Sequence, residues 1–223
     1  MPAPPPAPAR IAVLFGGGIE STALVRRFVD QGSAVVPVRV HCGLIWDDCE
    51  SSHARRFLAA NACDRLEPLR EIRLPLNGFL GSHWAVTGRN VPLAGSQAAD
   101  LEIPLRNLTL LSFALYQVRH EPGTSLALGT TADNCYRDGS REYFDRCQEV
   151  LSLEAGHPVE ILTPLIHLNK TQVIQQSDRE TLALSFSCVH PSQGRHCGGC
   201  IKCGRRKASF QAAGIADPTD YAS

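Results

Sequence analysis

Two stretches of the chain carry residue types that do chemistry. The first is Ile11–Thr22, IAVLFGGGIEST. An apolar run ends in three glycines, an acid and two hydroxyls. A strand feeding a glycine turn and then a helix makes an anion site, because the first helical amides lack internal partners and the helix dipole favours negative charge. Glycines let the backbone come close to the guest. The turn lacks the lysine of a Walker loop, and Ser21 stands where a dinucleotide fingerprint needs glycine. Glu20 would repel phosphate unless Mg²⁺ bridges them. The composition therefore suits the pyrophosphate of ATP with magnesium; a plain β–α turn is the alternative. The second stretch holds Cys188, Cys197, Cys200 and Cys203, with gaps of eight, two and two residues. Four thiolates so spaced suit a tetrahedral structural zinc, with an iron–sulfur cluster as the alternative. His190 or His196 are possible substitutes for one thiolate.

The elements that must position these residues are legible in outline. Apolar runs at Ile11–Phe15, Ala34–Val40, Leu66–Leu74, Leu126–Gly129 and Val159–Leu162 read as strands. Helical periodicity marks 22–31, 48–61, 106–120, 141–155 and 170–177. Strands alternating with helices predict an α/β layered domain with a mostly parallel sheet. Residues 77–104 show no clear period, and a loop so long suggests a cover over an active site, with a surface insertion as the alternative. Residues 1–9, rich in Pro and Ala, read as a disordered tail; 10–184 as the main domain; 185–223 as a cysteine-rich appendage.

Lys plus Arg and Asp plus Glu both total 22 in 223 residues. That balance argues against a long nucleic-acid duplex as partner. No signal peptide or membrane-length apolar run is evident, which favours the cytoplasm.

The glycine turn resembles the PP-loop, S-G-G-x-D-S, of ATP-pyrophosphatases, with Gly16 for the Ser and Glu20 for the Asp. Three further segments extend the likeness: Ile103–Asn107 (IPLRN), Leu162–Lys170 (LTPLIHLNK) and Ala213–Thr219 (AGIADPT). Together with the cysteine cluster and in this order, they resemble the 7-cyano-7-deazaguanine synthase (preQ0 synthase) family from about Arg10 to Tyr221. The resemblance implies a Rossmann-like sheet of the adenine nucleotide alpha hydrolase type with a small zinc-binding appendage. It implies ATP, Mg²⁺ and Zn²⁺ as cofactors, and an ATP-dependent C–N ligase of queuosine-type biosynthesis. Its reaction adenylates 7-carboxy-7-deazaguanine, lets ammonia displace AMP, and adenylates the resulting amide so that it collapses to the nitrile.

The same resemblance distributes the residues. Leu14, Phe15, Gly16, Gly17, Gly18, Ile19, Glu20, Ser21, Thr22 and Lys170 would hold the nucleotide. Glu20, Ser21, Lys170 and Arg106 would carry the chemistry. Arg106, Asn107, Asp138 and Glu142 would face the deazapurine. Helix capping (Arg106, Asn107), an N-terminal helix acid favoured by the dipole (Glu142) and a solvated first-turn lysine (Lys170) are the structural alternatives. The family's D-C-R loop reads Asp138-Gly139-Ser140 here, and its D-Y-G-Q-type segment is replaced by Cys42-Gly43-Leu44-Ile45-Trp46. Trp46 stacks on a base or lies in the core, and His83 handles a proton or is an ordinary loop histidine. A different carboxylate, a tRNA base or a protein as acceptor, or a non-catalytic nucleotide-binding module, are the rival readings. A homodimer is common in the family, and no membrane is implied.

Overall fold

The computed structural model describes residues 10–222, so the Pro/Ala tail at 1–9 lies outside the described residues. Five short strands form one parallel sheet: β1 (Arg10–Leu14), β2 (Ala34–His41), β3 (Arg70–Arg73), β4 (Ser125–Ala127) and β5 (Ile161–Leu162), in the order β3-β2-β1-β4-β5. β1 and β2 read as nearly continuous apolar runs because helices cover both faces of a parallel sheet. α1 (Ile19–Asp30) follows β1 and buries Leu24, Val25 and Phe28 at helical spacing. With α7 (Lys170–Gln176), α8 (Arg179–Leu184) and α9 (Ile201–Ala213) it packs on one face around Phe15, Phe57 and Phe210. α5 (Arg106–Val118) and α6 (Arg141–Ala155) cover the other face through Leu111, Leu115, Phe144 and Leu151.

The predicted strands and helices are all present, with shifted ends. β5 is shorter than its apolar run because the Val159 amide donates to Ser152 Oγ of α6 (2.9 Å) instead of to the ladder. β1 ends at Leu14, and the Phe15 amide still bonds the Val38 carbonyl (2.7 Å).

The aperiodic stretch 77–104 contains α3 (Asn77–Leu80), α4 (Trp84–Thr87) and a 3₁₀ turn at Ala98–Leu101. It is docked rather than loose. Trp84 stacks on Trp46 of the α2 N-cap (α2 is Asp47–Ala60), with ring centroids 5.6 Å apart. Leu93 bridges to Cys200, and the Ile201 amide donates to the Pro92 carbonyl (2.9 Å). Only its last residues, Leu101, Glu102 and Ile103, reach the large cleft described below. Residues 92–94 lie against the cysteine region, where the Ala94 amide also donates to the Gly199 carbonyl (2.9 Å).

Arg206 of α9 is fully buried and ties the C-terminus down. Its guanidinium donates to Thr219 Oγ1 (2.6 Å), Ser185 Oγ (2.9 Å) and the Leu182 carbonyl (2.9 Å), and it pairs with Asp217 at 3.5 Å. Tyr221 donates its hydroxyl to Asp217 (2.6 Å). Burial pushes the Asp217 carboxyl up, but Thr219, Tyr221 and Arg206 together hold it below the usual range. Removing one partner of such a buried pair strands the other. Arg206→Met is expected to cost about 3–5 kcal/mol of stability, measured by denaturant unfolding. Because the folded pKa of Asp217 is depressed, its contribution is complete above its unfolded value near 3.8 and is lost as pH falls through the folded one. Asp217→Asn should therefore flatten the acid limb of the stability profile; an unchanged limb would refute that role.

Candidate active site

In a sheet of this order the chain leaves β1 toward β2 on one side and leaves β4 toward β5 on the other, so the winding reverses between β1 and β4. Crevices for ligands open at the carboxyl ends of the strands there. The structure has a cleft of about 640 Å³ at that point, lined by Leu14 and Phe15 from the end of β1, Val38 and Val40 from β2, and Leu128–Thr131 after β4.

The glycine turn forms one side. Gly17 has φ +76°, and its carbonyl accepts from the Phe186 amide (2.7 Å). Gly18 is the N-cap of α1 and offers no side-chain acceptor, so the first amide donors of this 12-residue helix are left for a ligand. Gly129 lets β4 pass close to the helix start; a Cβ there would sit 2.6 Å from the Glu20 Cβ. An anion of phosphate size fits such a cradle.

Gly16, Gly18, Glu20, Ser21 and Lys170 line the cleft together with Leu14 and Phe15. Gly17, Ile19 and Thr22 do not. Ile19 is buried in the core, and the Thr22 hydroxyl already donates to the carbonyls of Gly18 and Ile19 (both 3.0 Å), so it is turned away as a phosphate donor. Ser21 lines the cleft while its hydroxyl donates to the Gly18 carbonyl (3.1 Å). Lys170 Nζ pairs with Glu20 Oε1 at 2.7 Å, closing the cleft floor between α1 and α7. Burial pushes the Glu20 carboxyl up, yet Lys170 and Lys202 outweigh that and hold it below its usual value. Asn169 caps α7, and Asp133 accepts from the Lys170 amide, so the lysine is held at both its backbone and its side chain.

Arg106, Asn107 and Asp138 also line the cleft. Asn107 Nδ2 donates to the Asp138 carbonyl (2.9 Å), so these two residues position each other. The Arg106 Nε is buried with no acceptor among the described residues. Glu142 is exposed on the first turn of α6 and does not line the cleft. The departures nearby have local reasons. A Cβ at Gly139 would collide with the Asn134 side chain, and Ser140 caps α6 by accepting from the Tyr143 amide (3.2 Å). Trp46 is buried against Trp84, and His83 caps α4 through Nδ1. Both therefore have structural roles.

Sequence reading missed Arg39, Lys202 and Arg205, which line the same cleft. Arg39 stands inside a buried strand and pairs with Asp47 and Glu50, both at 3.3 Å. A charge within an apolar run was its available signal. Burial pushes the Glu50 carboxyl up despite Arg39 and Arg106. Lys202 sits in the Cys200–Cys203 gap, where spacing drew attention only to metal; burial and then Lys170 push its ammonium down to about 8.

The four cysteine sulfurs all lie within 4.8 Å of one another. Cys188–Cys200 and Cys197–Cys203 are 3.8 and 3.9 Å apart, against about 3.8 Å for the edge of a tetrahedron with Zn–S bonds of about 2.3 Å. Backbone amides of His190 and Cys197 donate to the Cys188 sulfur (both 3.3 Å), supporting negative charge on it. The set fits a tetrahedral metal. His196 is not a member: its Nε2 accepts from the Ser187 amide (3.1 Å), and burial pushes it down to about 3, so the ring is neutral.

Comparison with known proteins agrees with this geometry. The model of the family described as queuosine biosynthesis protein QueC matches residues 10–214. A 7-cyano-7-deazaguanine synthase of Stutzerimonas stutzeri is 30% identical over 226 residues, covering 95% of this chain and 98% of the relative. The enzyme of that name from Rhizorhabdus wittichii is 31% identical, covering 96% of each. Among solved structures, a 4-thiouridine synthetase–RNA complex with bound ATP aligns with TM-score 0.50 at 15% identity. It covers 96% of this chain, which spans 47% of that one, and supports the PP-loop, Rossmann-like fold.

Metal analysis of the purified protein is expected to find one zinc per chain, with Cys200→Ser lowering both zinc content and thermal midpoint. A visible iron–sulfur absorption band instead would overturn zinc.

Proposed function

The chain belongs to the family of the queuosine biosynthesis protein QueC, and from that membership we propose that it makes 7-cyano-7-deazaguanine from 7-carboxy-7-deazaguanine, ammonia and ATP. The observation that carries the reading is the uncapped start of α1, opening into a cleft walled by the residues that such a reaction needs.

The chemistry follows in two rounds. The acceptor carboxylate attacks the α-phosphorus of ATP and pyrophosphate leaves; ammonia then displaces AMP, giving the amide. The amide oxygen attacks a second ATP in the same way. Loss of a proton and AMP leaves the nitrile. Each round builds negative charge on the departing pyrophosphate. Donors fixed in advance at that charge lower the barrier more than donors that must reorganise. The amides of Gly18 and Ser21, both in the cleft lining, are such donors. Lys170 is held ready by Glu20 and is free to turn to phosphate when Glu20 takes a cation of its own. We assign Mg²⁺ to Glu20, where it would offset phosphate charge. Asn107 and Asp138, locked to each other, offer a rigid edge for a purine. Arg106 brings an unused Nε to the same space. An acyl-adenylate must be kept from water. Leu101–Ile103 and the Tyr136 hydroxyl, which donates to the Ala98 carbonyl (2.5 Å), narrow the entrance.

The main domain we assign to residues 10–184 and the metal region to 185–223. Four thiolates leave no open position on zinc, so its part is structural. Among the described residues no helix is long and apolar enough to cross a membrane. We further propose ammonia as a substrate and a homodimer in the cytoplasm.

The direct test incubates the protein with Mg-ATP, ammonium and 7-carboxy-7-deazaguanine and follows AMP, pyrophosphate and product mass. Two AMP per nitrile are expected. AMP without nitrile would move the acceptor elsewhere; no AMP from folded, metal-loaded protein would sink the ligase reading. Lys170→Met is expected to slow AMP formation by about 10²–10³-fold, the loss typical of one transition-state donor.

A further inference from the structure

The cations of the cleft are unequally engaged. Arg39 is held between Asp47 and Glu50, and Lys170 is held by Glu20. Arg106, Lys202 and Arg205 face the same space, yet among the described residues none of them has an ion-pair partner, Arg205 bonding only the neutral Tyr136 side chain. The acids around them are in use. Glu20 meets Lys170, Asp133 accepts from the Lys170 amide, Asp138 accepts from the Asn107 amide, and Glu102 is exposed at the entrance.

Two of the three cations come from α9, the helix that grows out of the thiolate cluster. Cys200 caps it by accepting from the Cys203 amide. Lys202, Arg205 and Ser209 are spaced three and four apart and line the cleft, while Cys203, Arg206 and Phe210 are buried on the other side. Lys202 acts electrostatically on Glu20 in the glycine turn, and Arg205 and Lys170 act on Lys202. The helix is immobilised by the cluster at its start and by Arg206 in its middle.

We propose that Lys202 and Arg205 form an anion subsite on α9 that takes the pyrophosphate portion of the nucleotide, completing the cradle begun by the α1 amides. Lys170 is partly neutralised by Glu20, and the α9 pair supplies the charge that the glycine turn lacks. The metal region is thereby part of the nucleotide site as well as a staple. This inference rests on the nucleotide reading of the cleft, not on the identity of the acceptor.

The experiment is calorimetric titration of inorganic pyrophosphate with Mg²⁺, and separately of 7-carboxy-7-deazaguanine, into wild type, Lys202→Met, Lys202→Arg and Arg205→Met. Zinc content and thermal midpoint are measured for each. Lys202→Met and Arg205→Met should each weaken pyrophosphate at least about tenfold, the loss of one charge-assisted bond. Lys202→Arg should recover most of it, and acceptor binding should hold. Should Lys202→Met shed its zinc, Arg205→Met, outside the two-residue gap, decides. Unchanged pyrophosphate affinity in the zinc-loaded variants, or a wild type that binds none, overturns the proposal. Weakened acceptor binding with pyrophosphate intact also overturns it, assigning the pair to a carboxylate. Wild type that binds pyrophosphate through Lys202 but forms no AMP would sink the ligase reading and leave the subsite standing.

Discussion

The uncapped first turn of α1 is the constraint around which this molecule is arranged. A helix start without a side-chain acceptor leaves amide donors aimed at open space, and the dipole adds positive potential there. An acid in that turn, Glu20, then needs a cation, and Lys170 arrives from the start of another helix to supply it at 2.7 Å. The pair is more than a cleft-floor bridge. It keeps a half-buried carboxylate charged against the cost of burial and holds a lysine beside the glycine turn.

Two buried arginines do comparable work farther out. Arg39 crosses from the middle of β2 to Asp47 and Glu50 of α2 and also approaches the Gly16 carbonyl (3.5 Å). It thus joins the strand, the next helix and the glycine turn. Arg206 joins α9 to Ser185, Leu182, Asp217 and Thr219. A buried ion pair is seldom a net gain over a well-packed apolar contact, but it tolerates few alternative geometries. Here both pairs fix segments that border the cleft. The thiolate cluster adds a third fixed point. Its sulfurs join Cys188, Cys197 and α9, and the Leu93–Cys200 bridge fastens the 77–104 stretch to the same place.

The segments 139–140 and 42–46, where the resemblance is weakest, are built into local structure. Gly139 makes room for Asn134, whose Nδ2 donates to Thr130 Oγ1 (3.1 Å), and Ser140 supplies a helix cap. Cys42 to Trp46 form a tight turn in which Asp47 Oδ2 accepts from the Gly43 amide (2.7 Å) and Trp46 packs on Trp84. These residues serve local structure, while the cleft draws its cations from β2, α5, α7 and α9.

By itself the sequence determined whatever depends on local spacing. Apolar runs alternating with helical stripes specified a parallel α/β sheet, three glycines after a strand pointed to an anion cradle, and four cysteines pointed to a metal site. Those patterns act over a few residues, so no fold is needed to see them. Only the tertiary structure decided which way side chains point and which distant ones meet. Thr22 sits in the glycine motif but turns its hydroxyl to the backbone, and Glu142 lies in the first turn of α6 beside Asp138–Ser140 yet faces solvent. Glu20 and Lys170 become partners because β1 and β4 are neighbours, which brings the helix after β1 beside the turn that follows β5. Lys202 and Arg205 read as residues between and beyond metal ligands until α9 packs against α7 and one of its faces becomes a wall of the cleft. Strand order and helix rotation set these meetings, and both follow from packing the whole core rather than from any short stretch of chain.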